Sequence, residues 1–317
     1  MDQPIITESQ RNTLESFFGS KLKMDEMMDR YSVMKVGGPA DYLVIISDLK
    51  ELEETIRFLW EQEIPFILLG GGSNTLISDA GIRELVVINK AKEVKLIEND
   101  PERLRLWAES GASFGKLSRR ISSKGWTGME WSTGIPGTVG GAVVNNAGAF
   151  GSSVAENLEV AEILHPVGDK IQRSDWSVDQ LAYDYRTSVI KAGISQAIVL
   201  SATFRLRQST PEEVKARISA ISEKRQDSQP QGASLGSMFK NPPGDYSGRL
   251  IEEAGLKGYR VGDVEISRVH GNFFFNHGNA TAEETAALIK RVRETVKGKF
   301  GVELELEIQF IGDWEQG

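Results

Sequence analysis

Residues 134–151 read GIPGTVGGAVVNNAGAFG, with six glycines in eighteen positions, no charge and two adjacent asparagines. Side chains this small bury little apolar surface, so the backbone here is left bare for something that approaches it closely. A second run, LLGGGSNTLI at 68–77, leads from an apolar strand into three glycines, a serine and an asparagine. Successive bare N–H groups beside a hydroxyl and an amide suit a phosphate or diphosphate; the alternative is a tight turn between core strands. For 134–151 the alternative is a closely packed helix, GGAVV, between sheets. Two such runs in one half of the chain suit a ligand with a long spine lying between two lobes. Helix-start N–H groups can meet diphosphate oxygens there without any lysine. Neither familiar nucleotide fingerprint fits. Gly70–Gly72 lacks the third glycine of GxGxxG, and GASFGKL at 111–117 has its GK one residue early with no Ser or Thr after it.

What the ligand is not follows from composition. A net charge of −8 and a pI near 5.2 argue against a nucleic-acid partner, which needs a basic patch to displace phosphate counterions. The absence of cysteine removes disulfides, thiolate nucleophiles, iron-sulfur clusters and Cys-type zinc, and suits the cytoplasm. The N-terminus, MDQPIITESQRN, has neither the basic nor the apolar region of a leader, and no apolar run approaches a membrane span, so no membrane insertion is expected. With 317 residues, 40 % hydrophobic and 26 % charged, the chain reads as a soluble globular protein of two or three domains.

The first half alternates helical and strand patterns. Ser47 is placed to cap a helix carrying Leu49, Leu52, Ile56 and Leu59 on one face, between a strand at 42–46 and the strand FILL, as a β-α-β unit ending at Gly70. Strands are expected at 84–88 and 104–108, then a helix with Phe114, Leu117 and Ile121 aligned. From Leu158 the chain reads as strands, LEVAEILHPV, KIQR and AIVLSATFRL. Thr210-Pro211-Glu212-Glu213 reads as a capping box with proline at N1. A boundary near Gln208 divides the chain into an N-terminal segment (1–30), a middle section (31–208) and a C-terminal section (209–317). The last section carries SMFKNPPG, a short helix stopped by Gly255, the strand HGNFFFN, a helix from 281 to about 299 and the closing VELELEIQF. There Val302, Leu304, Leu306, Ile308 and Phe310 alternate with Glu303, Glu305, Glu307 and Gln309, which sets the apolar series toward a core. The pattern as a whole is α+β.

Few residues look reactive. Ser237 lies in a glycine-flanked loop, and the scattered His165, His270 and His277 form no legible triad or metal spacing, so no metal is expected. Any chemistry at Ser237 is therefore that of a proton donor. Tyr183-Asp184-Tyr185-Arg186 precedes an apolar strand, where an arginine is either a surface ion-pair partner or a clamp for a carboxylate or phosphate. Spacing favours none of Glu303, Glu305 and Glu307.

Taken in order, VMKVGGPAD (33–41), LLGGGSN (68–74), GIPGTVGGAVVNNAGAFG (134–151), YDYRTS (183–188), GSMFKNP (236–242), RLIEEAGLKG (249–258), HGNFFFN (270–276) and LELEIQFIG (304–312) resemble the UDP-N-acetylenolpyruvoylglucosamine reductase family. The resemblance covers roughly residues 31–312. It implies a vanillyl-alcohol-oxidase or PCMH-type FAD-binding half of two α+β subdomains (31–208) and a C-terminal α+β substrate-binding domain (209–317). It implies noncovalent FAD, held by Gly70, Gly71, Gly72, Ser73 and Asn74 and by Gly134, Pro136, Gly137, Thr138, Gly140 and Gly141. It further implies NADPH as hydride donor and reduction of the enolpyruvyl ether of a UDP-sugar in the cytoplasm, in peptidoglycan precursor synthesis, on which cell wall, cell shape and cell division depend. A monomer is expected. By the same resemblance Arg186 and Glu307 meet the charge that develops on the enolpyruvyl carboxylate, Ser237 protonates the adjacent carbon, and Tyr185, Lys240 and Asn241 orient the substrate. Two positions depart from the family pattern: Leu306 stands where a proline is usual, and Leu235 where a small residue is. The first leaves open a shifted register at Glu307, since slipping by one residue turns a side chain to the other face. Two other readings remain at this point: a different FAD oxidase on the same fold, and a noncatalytic nucleotide-binding module.

Overall fold

The structure is a computed structural model that describes residues 5–100 and 103–314. The outermost ends of the expected first and last sections, residues 1–4 and 315–317, lie outside the described residues.

The chain opens with helix α1 (Glu8–Phe18), closed at its start by a reciprocal Thr7/Gln10 capping box. Strands β1 (Lys23–Met27) and β2 (Pro39–Ile46), helix α2 (Leu49–Glu61) and strands β3 (Phe66–Leu69), β4 (Thr75–Ile77) and β5 (Ile82–Asn89) follow. The cap of α2 is Asp48 rather than Ser47: the Asp48 carboxylate accepts the Glu51 N–H at 2.9 Å, and the Ser47 N–H is itself taken by the Glu51 side chain at 3.1 Å. The β-α-β unit is also opened. The sheet order is β1-β2-β5-β3, so β5 lies between the two strands that α2 connects, parallel to both. The buried face of α2 (Leu52, Ile56, Leu59) packs together with Leu164 and Leu200, which places the helix between two sheets.

The second sheet is antiparallel. Its order runs Lys170–Trp176, Leu158–Val167, Ile198–Arg205, then β7 (Arg105–Glu109) and β6 (Val94–Ile97). Helices α3 (Leu117–Ser122) and α4 (Val139–Val144) share a core with it, in which Phe114 meets the rings of Trp131 and Phe204 at 5.5 and 6.1 Å.

In the last section Thr210 caps the helix Pro211–Ser228 by accepting the Glu213 N–H at 3.3 Å. The expected box is only half made, because the Glu213 carboxylate accepts the Ser209 hydroxyl at 2.6 Å instead. The helix Ala282–Phe300 packs on a small sheet of Arg260–Val261, Val264–Ile266 and Phe274–Asn276, so only the end of HGNFFFN is strand. The closing segment departs most from expectation. Leu304 and Ile308 are buried, but Phe310 is 36 % exposed against Trp314, and regular strand is confined to Gln309–Ile311. The cause is a change of partner along the segment. Leu306 faces Phe239, and three residues later the chain pairs in parallel with β4, Gln309 opposite Thr75. A two-residue period cannot persist through that crossing, and Glu307 sits where it breaks.

Candidate functional site

Both glycine-rich runs open onto one cavity of about 1880 Å³. Gly70–Asn74, Gly134, Pro136, Gly137, Thr138, Gly140 and Gly141 line it, together with Arg186, Ser237 and Glu307. Why these loops are bare is partly a matter of how they pack on each other. A Cβ on Gly70 would stand 2.8 Å from Thr138 Cγ2 and closer still to its hydroxyl, and one on Gly137, whose φ is +104°, would stand 2.6 Å from Ser73 Oγ. Close packing of one loop on the other thus accounts for part of the bareness at Gly70 and Gly137.

Backbone donors distinguish the parts of these loops. The first-turn amides of α4 are spent inside the protein: Val139 donates to Ala112 O at 2.9 Å, Gly140 to Ser110 O at 2.7 Å, and Gly141 to the Thr138 hydroxyl at 3.4 Å. The helix start therefore does not offer these N–H groups to an anion. Among the described residues the N–H groups of Gly71, Gly72, Ser73, Gly137 and Thr138 have no protein partner. Five free donors on two facing, uncharged loops fit the diphosphate and ring system of FAD. One cation joins them that sequence reasoning missed. Arg225 lines the same cavity with its guanidinium 5.0 Å from the Phe150 ring centre and a buried Nε that has no partner, and burial pushes its pKa down.

The YDYRTS segment is a tight turn in which Asp184 and Thr187 exchange backbone hydrogen bonds of 3.3 and 3.2 Å. It is anchored to the end of the second glycine-rich run, since the Ser188 hydroxyl donates to Val144 O at 2.6 Å and Asn146 Nδ2 to Asp184 O at 3.1 Å. At its tip Arg186 adopts φ +58°, a left-handed conformation that costs a non-glycine residue about 1 kcal/mol. Its Nε lies 3.1 Å from Glu307 Oε1, in ionic contact without the alignment of a hydrogen bond.

Burial raises the Glu307 pKa above the ordinary carboxylate range, against the pull of Arg186, Lys191 and Lys240. Lys191 is a second residue that sequence reasoning missed. Its Nζ is buried without a hydrogen-bond partner, and burial lowers its pKa although Glu307 opposes the shift.

Ser237 reaches the cavity on a segment clasped from both sides. Met238 N donates to Asn272 O at 2.9 Å, the Asn272 side chain brackets Phe239, and Glu307 N donates to Met238 O at 2.9 Å. The Ser237 hydroxyl makes no protein hydrogen bond among the described residues. Tyr185, Lys240 and Asn241 lie off the cavity wall and hold one another and their neighbours. Tyr185 Oη accepts the Asn241 N–H at 3.4 Å, Lys240 pairs with Glu305 at 3.2 Å, and the Asn241 carboxamide oxygen accepts the Ser247 N–H at 3.1 Å.

The chain is similar to known proteins over nearly its whole length. Residues 40–172 match a family described as FAD binding domain, and residues 228–311 match UDP-N-acetylenolpyruvoylglucosamine reductase, C-terminal domain. The UDP-N-acetylenolpyruvoylglucosamine reductase of Chloroflexus aurantiacus is 42 % identical over 290 residues, covering 90 % of this chain and 96 % of that one. That of Rubrobacter xylanophilus is 42 % identical over 301 residues, covering 95 % and 98 %. The solved structure of the Thermus caldophilus enzyme of the same name superposes with a TM-score of 0.75 at 33 % identity, covering 91 % of this chain and 99 % of that one.

Proposed function

The chain belongs to the UDP-N-acetylenolpyruvoylglucosamine reductase family and is an FAD-dependent oxidoreductase; from that premise we propose how its residues reduce the enolpyruvyl group of UDP-N-acetylglucosamine enolpyruvate to give UDP-N-acetylmuramate. The observation that carries the reading is convergence. Arg186, Ser237 and Glu307 come from three separate stretches and stand on the wall of the cavity that both glycine-rich loops line.

The free amides of Gly71–Ser73 and Gly137–Thr138 are the donors suited to the FAD diphosphate, with Arg225 as the cation of that wall. Bound there, FAD would supply the redox chemistry, relaying a hydride from NADPH to the vinyl CH2 carbon of the substrate. Negative charge then develops on the enolpyruvyl carboxylate as an enolate. Arg186 faces it with a fixed positive charge, and Glu307, whose carboxyl is held toward its protonated form by burial, donates a hydrogen bond to the same oxygens. The Ser237 hydroxyl, uncommitted to any protein group, gives its proton to the adjacent carbon and recovers one from solvent. Hydride and proton thus reach neighbouring carbons from different sources. Tyr185 and Asn241 tie the Arg186 turn to the 237–241 loop, with Lys240 paired to Glu305 beside them, and from that side the three orient the substrate. The reading extends to a cytoplasmic monomer whose product feeds peptidoglycan synthesis and, through it, cell shape and division. No helix among the described residues is long and apolar enough to cross a membrane.

An anaerobic visible spectrum tests it. Flavin bands should bleach with NADPH and return on addition of the enolpyruvyl sugar nucleotide. Bands that bleach and stay bleached would identify a different flavoenzyme on this fold, and failure to take up FAD would remove the reading altogether.

A further inference from the structure

Asn74 ends the first glycine-rich loop, among residues expected to touch the cofactor, yet its carboxamide is engaged elsewhere. Nδ2 donates to the backbone oxygen of Glu307 at 3.1 Å, across 233 residues of sequence, and to Asn145 Oδ1 at 3.4 Å. The assignment of its two ends is forced. A peptide oxygen only accepts, so the NH2 group must face Glu307. Asn145 is oriented by the same logic, because its own NH2 donates to Gly141 O at 2.8 Å and so turns its oxygen toward Asn74. Both amide hydrogens of Asn74 are therefore used. What remains is an oxygen, an acceptor that repels a phosphate oxygen rather than binding it.

The engagement falls at a telling place. The Glu307 N–H is held by Met238 O at 2.9 Å, one residue from Ser237, while the Glu307 carbonyl is held by Asn74; two residues on, Gln309 N donates to the Asn74 backbone oxygen at 2.9 Å, and the parallel pairing with β4 begins. The peptide groups on both sides of the Glu307 Cα are thus pinned, one to the proton-donor loop and the other to the glycine-rich loop. This is the point at which the two-residue alternation of VELELEIQF breaks and a glutamate turns inward.

We propose that Asn74 is a positioning residue for Glu307: its carboxamide sets where that carboxyl stands relative to Arg186 and Ser237, and so couples the first glycine-rich loop to the substrate-reducing half of the reaction. The proposal rests on the reductase reading above. A catalytic group displaced by about 1 Å loses about 100-fold in rate.

The test separates the two half-reactions in the full-length flavoprotein carrying Asn74→Asp, which sets an oxygen against two acceptors, or Asn74→Ala, which removes the donor. Bound FAD per chain, by absorbance, and the rate of bleaching by NADPH should stay within about threefold of the parent protein. Reoxidation by the enolpyruvyl sugar nucleotide should slow about 10- to 100-fold, with its pH profile displaced. In a Glu307→Gln background Asn74→Ala should add less than about threefold, because its effect passes through Glu307. An unchanged reoxidation rate and pH profile would overturn the proposal. So would loss of FAD with both half-reactions slowed alike, or failure of both variants to fold, since each makes Asn74 a cofactor ligand or a structural residue. A parent protein that bleaches but is not reoxidised would instead refute the reductase reading, before any variant is made.

Discussion

At Glu307 burial and charge pull in opposite directions, and burial wins: the carboxyl titrates above its ordinary value although three cations act on it. A carboxyl whose folded pKa is raised adds stability that is fully present below the unfolded pKa and is lost as pH rises through the folded value. Lys191 works in the reverse sense, since its folded pKa lies below the ordinary 10.5. Burial of its Nζ without a hydrogen-bond partner disfavours the charged form and costs stability, and the cost shrinks as pH rises from the folded value toward 10.5. Lys191→Met should therefore raise the thermal midpoint at pH 7, by an amount worth about 1 kcal/mol or more, with the gain fading as pH approaches 10. A midpoint that falls, or a gain independent of pH, would mean that the ammonium has a compensating partner. Ser237→Ala is expected to leave NADPH bleaching intact and to slow reoxidation by about 10² to 10⁴, the usual worth of a positioned proton donor; normal turnover would end that role. The segments that bring Arg186, Ser237 and Glu307 to the cavity wall were legible because each has its own signature, YDYRTS, GSMFKNP and LELEIQF. Lys191 and Arg225 were not. Neither IKAG nor EKRQD carries a motif or spacing that marks its cation, and only tertiary packing buries Lys191 Nζ and Arg225 Nε.

Elements with local chemistry were legible where the chemistry stayed local. The helix expected from 281 to about 299 runs from Ala282 to Phe300, and the apolar face of α2 is buried as its period requires. The closing strand was not, because its face is decided by partners more than 200 residues away, Asn74 and β4, that no periodicity records. The glycine-rich loops lie between these cases. Their bareness was visible, but its first use, letting residue 70 pass over residue 138, required the fold. That contact makes a quantitative prediction. Gly70→Ala forces its methyl onto the Thr138 side chain, with a cost of about 1–3 kcal/mol from overpacking. Thr138→Ala costs less, at the low end of the 0.5–2 kcal/mol typical of a cap, since its bond to Gly141 N is a long 3.4 Å. The double variant removes the clashing Oγ1 and Cγ2 atoms, so it should be more stable than the sum of the two by about 1 kcal/mol in denaturant midpoints. Strict additivity would show that the loops do not touch in this way.

At the scale of the molecule the question is what keeps the last section seated on the first lobe, since the cavity has walls from both. The α+β class could be read from the order of patterns along the chain, but the docking could not, because it rests on groups that carry no mark of it in sequence. One is the parallel pairing of Gln309–Ile311 with β4. Another is Asp79, in the turn between β4 and β5, whose two carboxylate oxygens accept the N–H groups of Ala282 and Glu283 at 2.9 Å each. With Thr281 taking the amides of Glu284 and Thr285, all the donors of that helix's first turn are satisfied, half of them from another lobe. A carboxylate there also meets the positive end of the helix dipole. Asp79→Ala should thus lower stability by about 1–2 kcal/mol, and Asp79→Asn, which keeps one acceptor and loses the charge, by roughly half as much. The site of the loss distinguishes a tie between lobes from a local turn residue. Amide hydrogen exchange should quicken in the first turn of the helix Ala282–Phe300 and at Gln309–Ile311, while the sheet of β1, β2, β5 and β3 keeps its protection. Quickening confined to residues 78–81 would show that the carboxylate serves only its own turn and that the strand pairing alone carries the docking.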